Sequence, residues 1–232
     1  MNFFVNKEAT SRSCGLHQEA VRVWDWPVRI FHWLLLVLVI AAYLTSRYNW
    51  MTYHVYIGRI ILTLLCFRTM WGFWGSDTAR FRRFIVRPSI AFAYIRDLFS
   101  QTCEKHIGHT PAGGWMVVAL IVVLWMQVLT GLFVSNDVVR VGPLFAIFSG
   151  DTTNTLVFVH GILFNVLTLF VAIHIAVVAI YWTVKRQNLI KPMITGIQSL
   201  PLCVEKPRFV STKRAIGLFL CSIGIALLIG LL

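Results

Sequence analysis

Four of the chain's seven histidines, His32, His54, His160 and His174, fall inside or at the ends of long uncharged stretches. A side chain that can ionise or bind a metal is costly there, so its presence is a functional signal by default. His160 and His174 share one stretch and are 14 residues apart. That is just under four helical turns, so both project from nearly the same face, about 21 Å apart along the axis. His32 opens an earlier stretch at the end that His174 occupies, and His54 opens the next at the end of His160. The four therefore sort into two pairs, His32 with His174 and His54 with His160, one per membrane leaflet. Two imidazoles on facing helices are the axial ligands that six-coordinate haem iron takes, with the porphyrin between the helices. Zinc matches less well, because neither pair has the further His, Cys or carboxylate that zinc takes. The spacing thus points to two bis-histidine haem sites. For His32 or His54 taken alone, each near the end of its stretch, the alternative is an interfacial position.

The stretches that must position these residues span 30–46, 53–74, 114–134, 155–184 and 215–232. Roughly 17–25 residues carry a helix across the hydrocarbon layer. The chain is 58% hydrophobic and only 13% charged, against about 25% charged in soluble domains. The expected architecture is an all-α integral membrane protein, a four-helix haem-binding bundle with a fifth C-terminal transmembrane helix. Its segments are a tail over 1–22, the bundle over 23–196, a linker over 197–214 and the last helix over 215–232. Residues 1–20 include Lys7, Glu8, Arg12, His17 and Glu19 and lack the apolar core of a cleaved signal. The first span is expected to be an anchored helix, capped by Asp25 with Pro27 in its first turn.

The net charge of +12 raises nucleic-acid binding as a possibility. However, 17 of the 21 Lys and Arg residues lie before the first span, between the second and third, or after the fourth. Those segments share one side of the membrane, so the charge reads as topology with a cytoplasmic N-terminus, and nucleic acid drops out. Cys14, Cys103 and Cys203 fall on that same side and Cys66 and Cys221 within spans, leaving no disulfide framework in the outer loops. The absence of Cys-x-x-Cys-His removes covalent haem attachment.

Other residues fall into place around the histidines. Gly58, one turn from His54, gives a macrocycle room against the helix backbone. Arg68 lies on the His54 face near the other end of its span, either facing an inner haem propionate or snorkelling to the surface. Arg29, three residues before His32, could meet inner propionates or serve only as a topology charge. Arg59 turns to another face. Tyr43 lies on the His32 face, within reach of the outer haem or as part of an interfacial aromatic belt. His109, in a Gly-His-x-Pro setting before the third span, either approaches an inner haem edge or quinone or ties down its loop. His17 and His106 read as surface residues. Residues 80–87, with Phe81 and Phe84 among arginines, read as a basic amphipathic segment on the inner leaflet. Gly217 and Gly224 suggest a packing face on the last helix, toward the bundle or a partner helix.

Several strings in this order carry a family resemblance: Val23-Trp24-Asp25-Trp26-Pro27-Val28-Arg29-Ile30-Phe31-His32-Trp33, His54-x-x-x-Gly58 and Arg68-x-x-Trp71-Gly72-x-x-Gly75. Gly108-His109-Thr110-Pro111-Ala112-Gly113-Gly114 and Asn188-Leu189-Ile190-Lys191-Pro192-Met193-Ile194-Thr195-Gly196 complete the set. Over residues 23–196 the chain resembles the bacterial cytochrome b561 and nickel–iron hydrogenase b-type cytochrome group. The resemblance implies haem b held by transmembrane histidines, at His32, His54, His160 and His174, and electron exchange with quinone or a partner redox protein in the bacterial inner membrane. Two readings follow, a quinone-linked electron-transfer cytochrome or the membrane anchor of a hydrogenase or other periplasmic oxidoreductase. The chain departs from compact four-helix members after Gly196, where a linker and a fifth span follow. A proton or metal transporter is the distant alternative. It calls for broken helices or acidic residues within the membrane, and the spans contain neither.

Overall fold

The computed structural model describes residues 18–97, 107–134, 144, 151–201 and 206–231. A short strand β1 (Gln18–Arg22) leads into helices α1 (Trp26–Arg47) and α2 (Met51–Trp74). A 3-10 turn over Asp77–Ala79 and two short helices, α3 (Phe81–Phe84) and α4 (Pro88–Arg96), follow. Then come α5 (Pro111–Phe133), α6 (Asp151–Thr183), α7 (Ile190–Thr195), strand β2 (Ile197–Pro201) and α8 (Thr212–Leu231). Five of these helices, α1, α2, α5, α6 and α8, are long and apolar enough to cross a membrane. Their outward faces carry exposed Val37, Ile40, Leu169, Ile175, Leu220 and Leu227, as lipid-facing surfaces do. The chain is an all-α, multi-pass membrane protein, with one two-stranded ribbon at its basic end.

Helix starts follow from local chemistry. Asp25 caps α1 by accepting a hydrogen bond from the Val28 N–H at 3.0 Å, with Pro27 in the first turn, as expected. Thr110 caps α5 the same way, accepting from the Gly113 N–H at 3.1 Å, and Pro111 needs no donor at that position. The 33 residues of α6 make it about 50 Å long, enough to carry both of its histidines through the bundle. α1 packs along α2, α5 along α6, and α8 along α2. Midway along the bundle, Ile61 and Leu65 of α2 bury against Val123 and Leu124 of α5 and Leu167 of α6.

Three expectations change. The segments read as tail and linker contribute β1 and β2, which pair antiparallel with Val21 opposite Gln198 and Arg22 opposite Ile197. Val21 and Leu200 turn inward to bury beside Trp24 and Trp71. One buried residue per strand is too weak a period-two signal to read from sequence. Phe81 and Phe84 also point into the protein, not the leaflet. The Phe81 ring rests so close to Gly72 that a Cβ there would lie 2.1 Å from it, and Phe84 fills the space beside Gly114. Arg82 and Arg83 remain exposed. Finally, a Cβ at Gly217 or Gly224 would meet nothing within 4 Å, so these glycines do not line the contact with the bundle. α8 turns Ala215, Ser222 and Ala226 inward, with Phe219 edge-on to Phe67. The expectations for His17, His106 and the three cysteines outside the spans fall outside the described residues.

Candidate functional site

The structure brings the four histidines together in the pairs that their spacing predicts. The ring centroids of His32 and His174 are 6.4 Å apart, and those of His54 and His160 are also 6.4 Å apart. Imidazole nitrogens bind metals at about 2.0–2.1 Å. With ring bonds near 1.33 Å, a nitrogen lies about 1.1 Å from the ring centre, so two trans imidazoles on one ion have centroids about 6.2–6.4 Å apart. Both ring separations match that span. Among the described residues, no third His, Cys, Asp or Glu joins either pair to make a group that could hold a bare metal ion.

The far pair, near the α1–α2 turn, is held in a hydrogen-bonded setting. His54 Nδ1 lies 2.9 Å from the Ala42 carbonyl oxygen. His160 Nδ1 lies 3.0 Å from Thr130 Oγ1, and its Nε2 lies 3.1 Å from Gln127 Nε2. Gly131 lets α5 approach this ring, since a Cβ there would sit 3.1 Å from His160 Cε1. A Cβ at Gly58 or Gly161 would meet nothing within 4 Å. Tyr43 stacks on Phe164 across the α1–α6 contact, 5.5 Å between ring centres. Gln127, Thr130 and Gly131 are absent from the sequence reading. Their one sequence signal is a polar pair three apart in an otherwise apolar span.

The near pair is arranged differently. His32 Nδ1 is buried without a partner, and the ring meets Trp33 edge-on at 5.0 Å. Between the two pairs lies the apolar layer of Ile61, Leu65, Val123, Leu124 and Leu167, which keeps water from the space separating them.

Below the near pair, the quoted motif strings close into a cap. Asp25 Oδ2 accepts a hydrogen bond from Trp71 Nε1 at 2.9 Å, and the Val23 carbonyl accepts one from the Thr78 hydroxyl at 2.8 Å. The Gly196 carbonyl accepts from the N–H groups of Val23 and Trp24. Gly196 has φ +83°, and a Cβ would approach the Trp24 carbonyl to 2.9 Å, so the turn from α7 into β2 requires glycine.

Arg68 belongs to this cap. It is 3% exposed, donates to the Ala79 carbonyl at 3.3 Å and lies over the Phe81 ring at 5.3 Å. It does not snorkel. No carboxylate lies within ion-pair distance of it among the described residues. Arg29 donates instead to the Ile194 carbonyl, so its guanidinium ties α1 to α7. His109 packs between Trp24 and Phe84, at 4.7 and 4.4 Å, with Nδ1 buried and unpartnered. Burial, and then the Arg68 charge, push its pKa down to about 3, so it is neutral at physiological pH. Of the two readings of His109, the packing supports the one that ties down the loop.

Neither the curated proteins nor the solved structures include a match to this chain. The prokaryotic cytochrome b561 family model matches residues 23–196, the bundle and the cap that closes it. The chain belongs to the prokaryotic cytochrome b561 family, whose members are membrane electron-transfer proteins carrying b-type haem.

Proposed function

We propose that this chain binds two haems b, one between His32 and His174 and one between His54 and His160, and moves electrons between quinone and a partner redox protein across the bacterial inner membrane. The observation that carries the reading is the pair of 6.4 Å ring separations, each the span of two imidazoles on one ion. When bound, haem b supplies a reversible one-electron iron couple. The chain contributes the rest. The four imidazoles hold and orient the groups, Gly58 leaves room beside the outer one, and the Ile61–Leu65 layer excludes water. Arg68 places a buried positive charge at the inner end, where low dielectric strengthens its reach.

The skew of Lys and Arg toward the cap end supports a cytoplasmic N-terminus. Quinone is supported by an apolar groove of about 530 Å3 at that end, lined by Trp26, Arg29, Ile30, Trp33, Leu34, Val37 and Ile194. Trp33 contacts the His32 ring on one side and lines the groove on the other. The anchor-subunit reading has its own support in α8, whose outward face carries Gly217 and Gly224 with nothing packed on them.

The test is haem quantification together with the spectra of four single variants. Two haems per chain are expected. His32→Ala and His174→Ala should remove one spectral component, and His54→Ala and His160→Ala the other. One haem per chain, or His32→Ala behaving like His54→Ala, would sink the proposal.

A further inference from the structure

Thr130 stands beside His160 with its hydrogen already committed. Its hydroxyl donates to the backbone carbonyls of Met126 and Gln127, both at 2.9 Å. Toward His160 Nδ1, 3.0 Å away, the oxygen therefore presents lone pairs and accepts. This places the ring proton of His160 on Nδ1. Gln127 agrees from the other side, because its amide Nε2 donates to His160 Nε2 at 3.1 Å and requires a lone pair there. A Gln127 amide turned over would ask for a proton on Nε2, and Nδ1 would then need the hydrogen that Thr130 has given to its own helix. Across the pair, the Ala42 carbonyl can only accept from His54 Nδ1. Both outer histidines thus carry Nδ1–H bonded to oxygen and keep Nε2 unprotonated, and at His160 an iron on Nε2 would displace the Gln127 amide that now donates to it.

The inner pair lacks this support at His32, whose Nδ1 is buried without a partner. A ligating imidazole whose other N–H is donated to oxygen is fixed in orientation and becomes a more basic ligand. A more basic ligand favours the ferric state.

We propose that Thr130 is a positioning residue that fixes the tautomer and orientation of His160. With the Ala42 carbonyl on His54, it makes the outer histidines the stronger donors and gives the outer haem the lower midpoint potential of the two. The proposal rests on the bis-histidine reading above. Gly131 is part of the same device, since a Cβ there would sit 3.1 Å from His160 Cε1 and press the ring away from α5.

The test uses the full chain purified with its haems. His54→Ala and His160→Ala first assign the outer component. If neither removes a component, the bis-histidine reading fails before Thr130 is measured. Thr130→Val keeps the shape and removes the hydroxyl. Both haems should remain, the outer midpoint should rise, the inner midpoint should stay, and the outer low-spin electron paramagnetic resonance signal should shift as the ring is released. Thr130→Ser should restore the original values. Should Thr130→Val lose haem, Thr130→Ala gives the same reading with less bulk. Both haems bound with an unchanged outer midpoint and signal, in either hydroxyl-free variant, would overturn the proposal. So would a Thr130→Ser variant that fails to recover the original midpoint.

Discussion

The cap and the band of histidines above it differ in what their side chains face: the cap largely closes on itself, with His109 Nδ1 and Arg29 Nε as exceptions, and the band sets imidazole against imidazole. In the cap, both oxygens of Asp25 accept hydrogen bonds, from the Val28 N–H and from the Trp71 indole, and the Thr78 hydroxyl and the Gly196 carbonyl find backbone partners. Close contacts such as Phe81 on Gly72 remove free volume. In the band, two imidazoles face two others at 6.4 Å, and Gly58 and Gly161 border open space. Buried polar groups that satisfy one another, as Asp25, Trp71 and Thr78 do with their partners, contribute stability, because each unmet buried group costs about 1–3 kcal/mol. The band, with its imidazoles paired at that spacing, is where the proposed function places a guest. On the proposed function, stability and cofactor chemistry are divided along the bundle axis, and substitutions in the two regions should have separable effects.

The largest separation should come from Gly58→Leu, which fills the open space beside the outer pair. If the chain holds two haems as proposed, most of one equivalent should be lost, while helical content and tryptophan fluorescence of the cap stay unchanged. A variant that retains both haems would show that the space beside Gly58 is not used. In the cap, Asp25→Ala removes the α1 cap and leaves the Trp71 N–H without its partner. A loss of about 2–4 kcal/mol is expected, measured by denaturation in detergent, with the haem spectrum of the folded fraction unaltered.

A smaller effect should track pH through His109. Its pKa in the fold, about 3, lies below the usual 6.5. The unfolded chain therefore takes up a proton as pH falls through 6.5, while the folded chain stays neutral until pH 3. The stability tied to neutral His109 is complete above pH 6.5 and declines as pH falls toward 3. His109→Gln should flatten the stability profile across that window, and an equally steep profile in the variant would contradict the burial argument. The smallest change expected is a fall in the inner midpoint potential in Arg68→Gln with both haems retained, because removing a buried cation makes the reduced state less favourable. It is also the one change that links cap to band. A redox titration indistinguishable from wild type would confine Arg68 to the cap.

Helical periodicity orders residues within one element, and whatever rests on it could be read directly. The 14-residue step from His160 to His174 places two rings on one face of α6 whatever surrounds it. The leaflet match of His32 and His54 follows from where their spans begin. Asp25 and Pro27 announce the start of α1, and the five apolar stretches, the uneven Lys and Arg and the all-α class follow from composition along the chain. The docking of one element on another decided the rest. Trp71 meets Asp25 across 46 residues, Thr78 meets Val23 across 55, and Arg29 meets Ile194 across 165. These contacts depend on helix rotation and on the close approaches that Gly72, Gly114 and Gly131 permit, which periodicity does not encode. For the same reason Arg68 turns into the cap, β1 finds β2, α8 buries Ala215, Ser222 and Ala226 in place of its glycines, and Thr130 stands beside His160. The sequence alone determined which residues could serve as ligands and at what depth they lie, because rise per residue is a local property of the helix. Tertiary structure decided which oxygen each ring nitrogen meets, because that depends on how neighbouring helices pack.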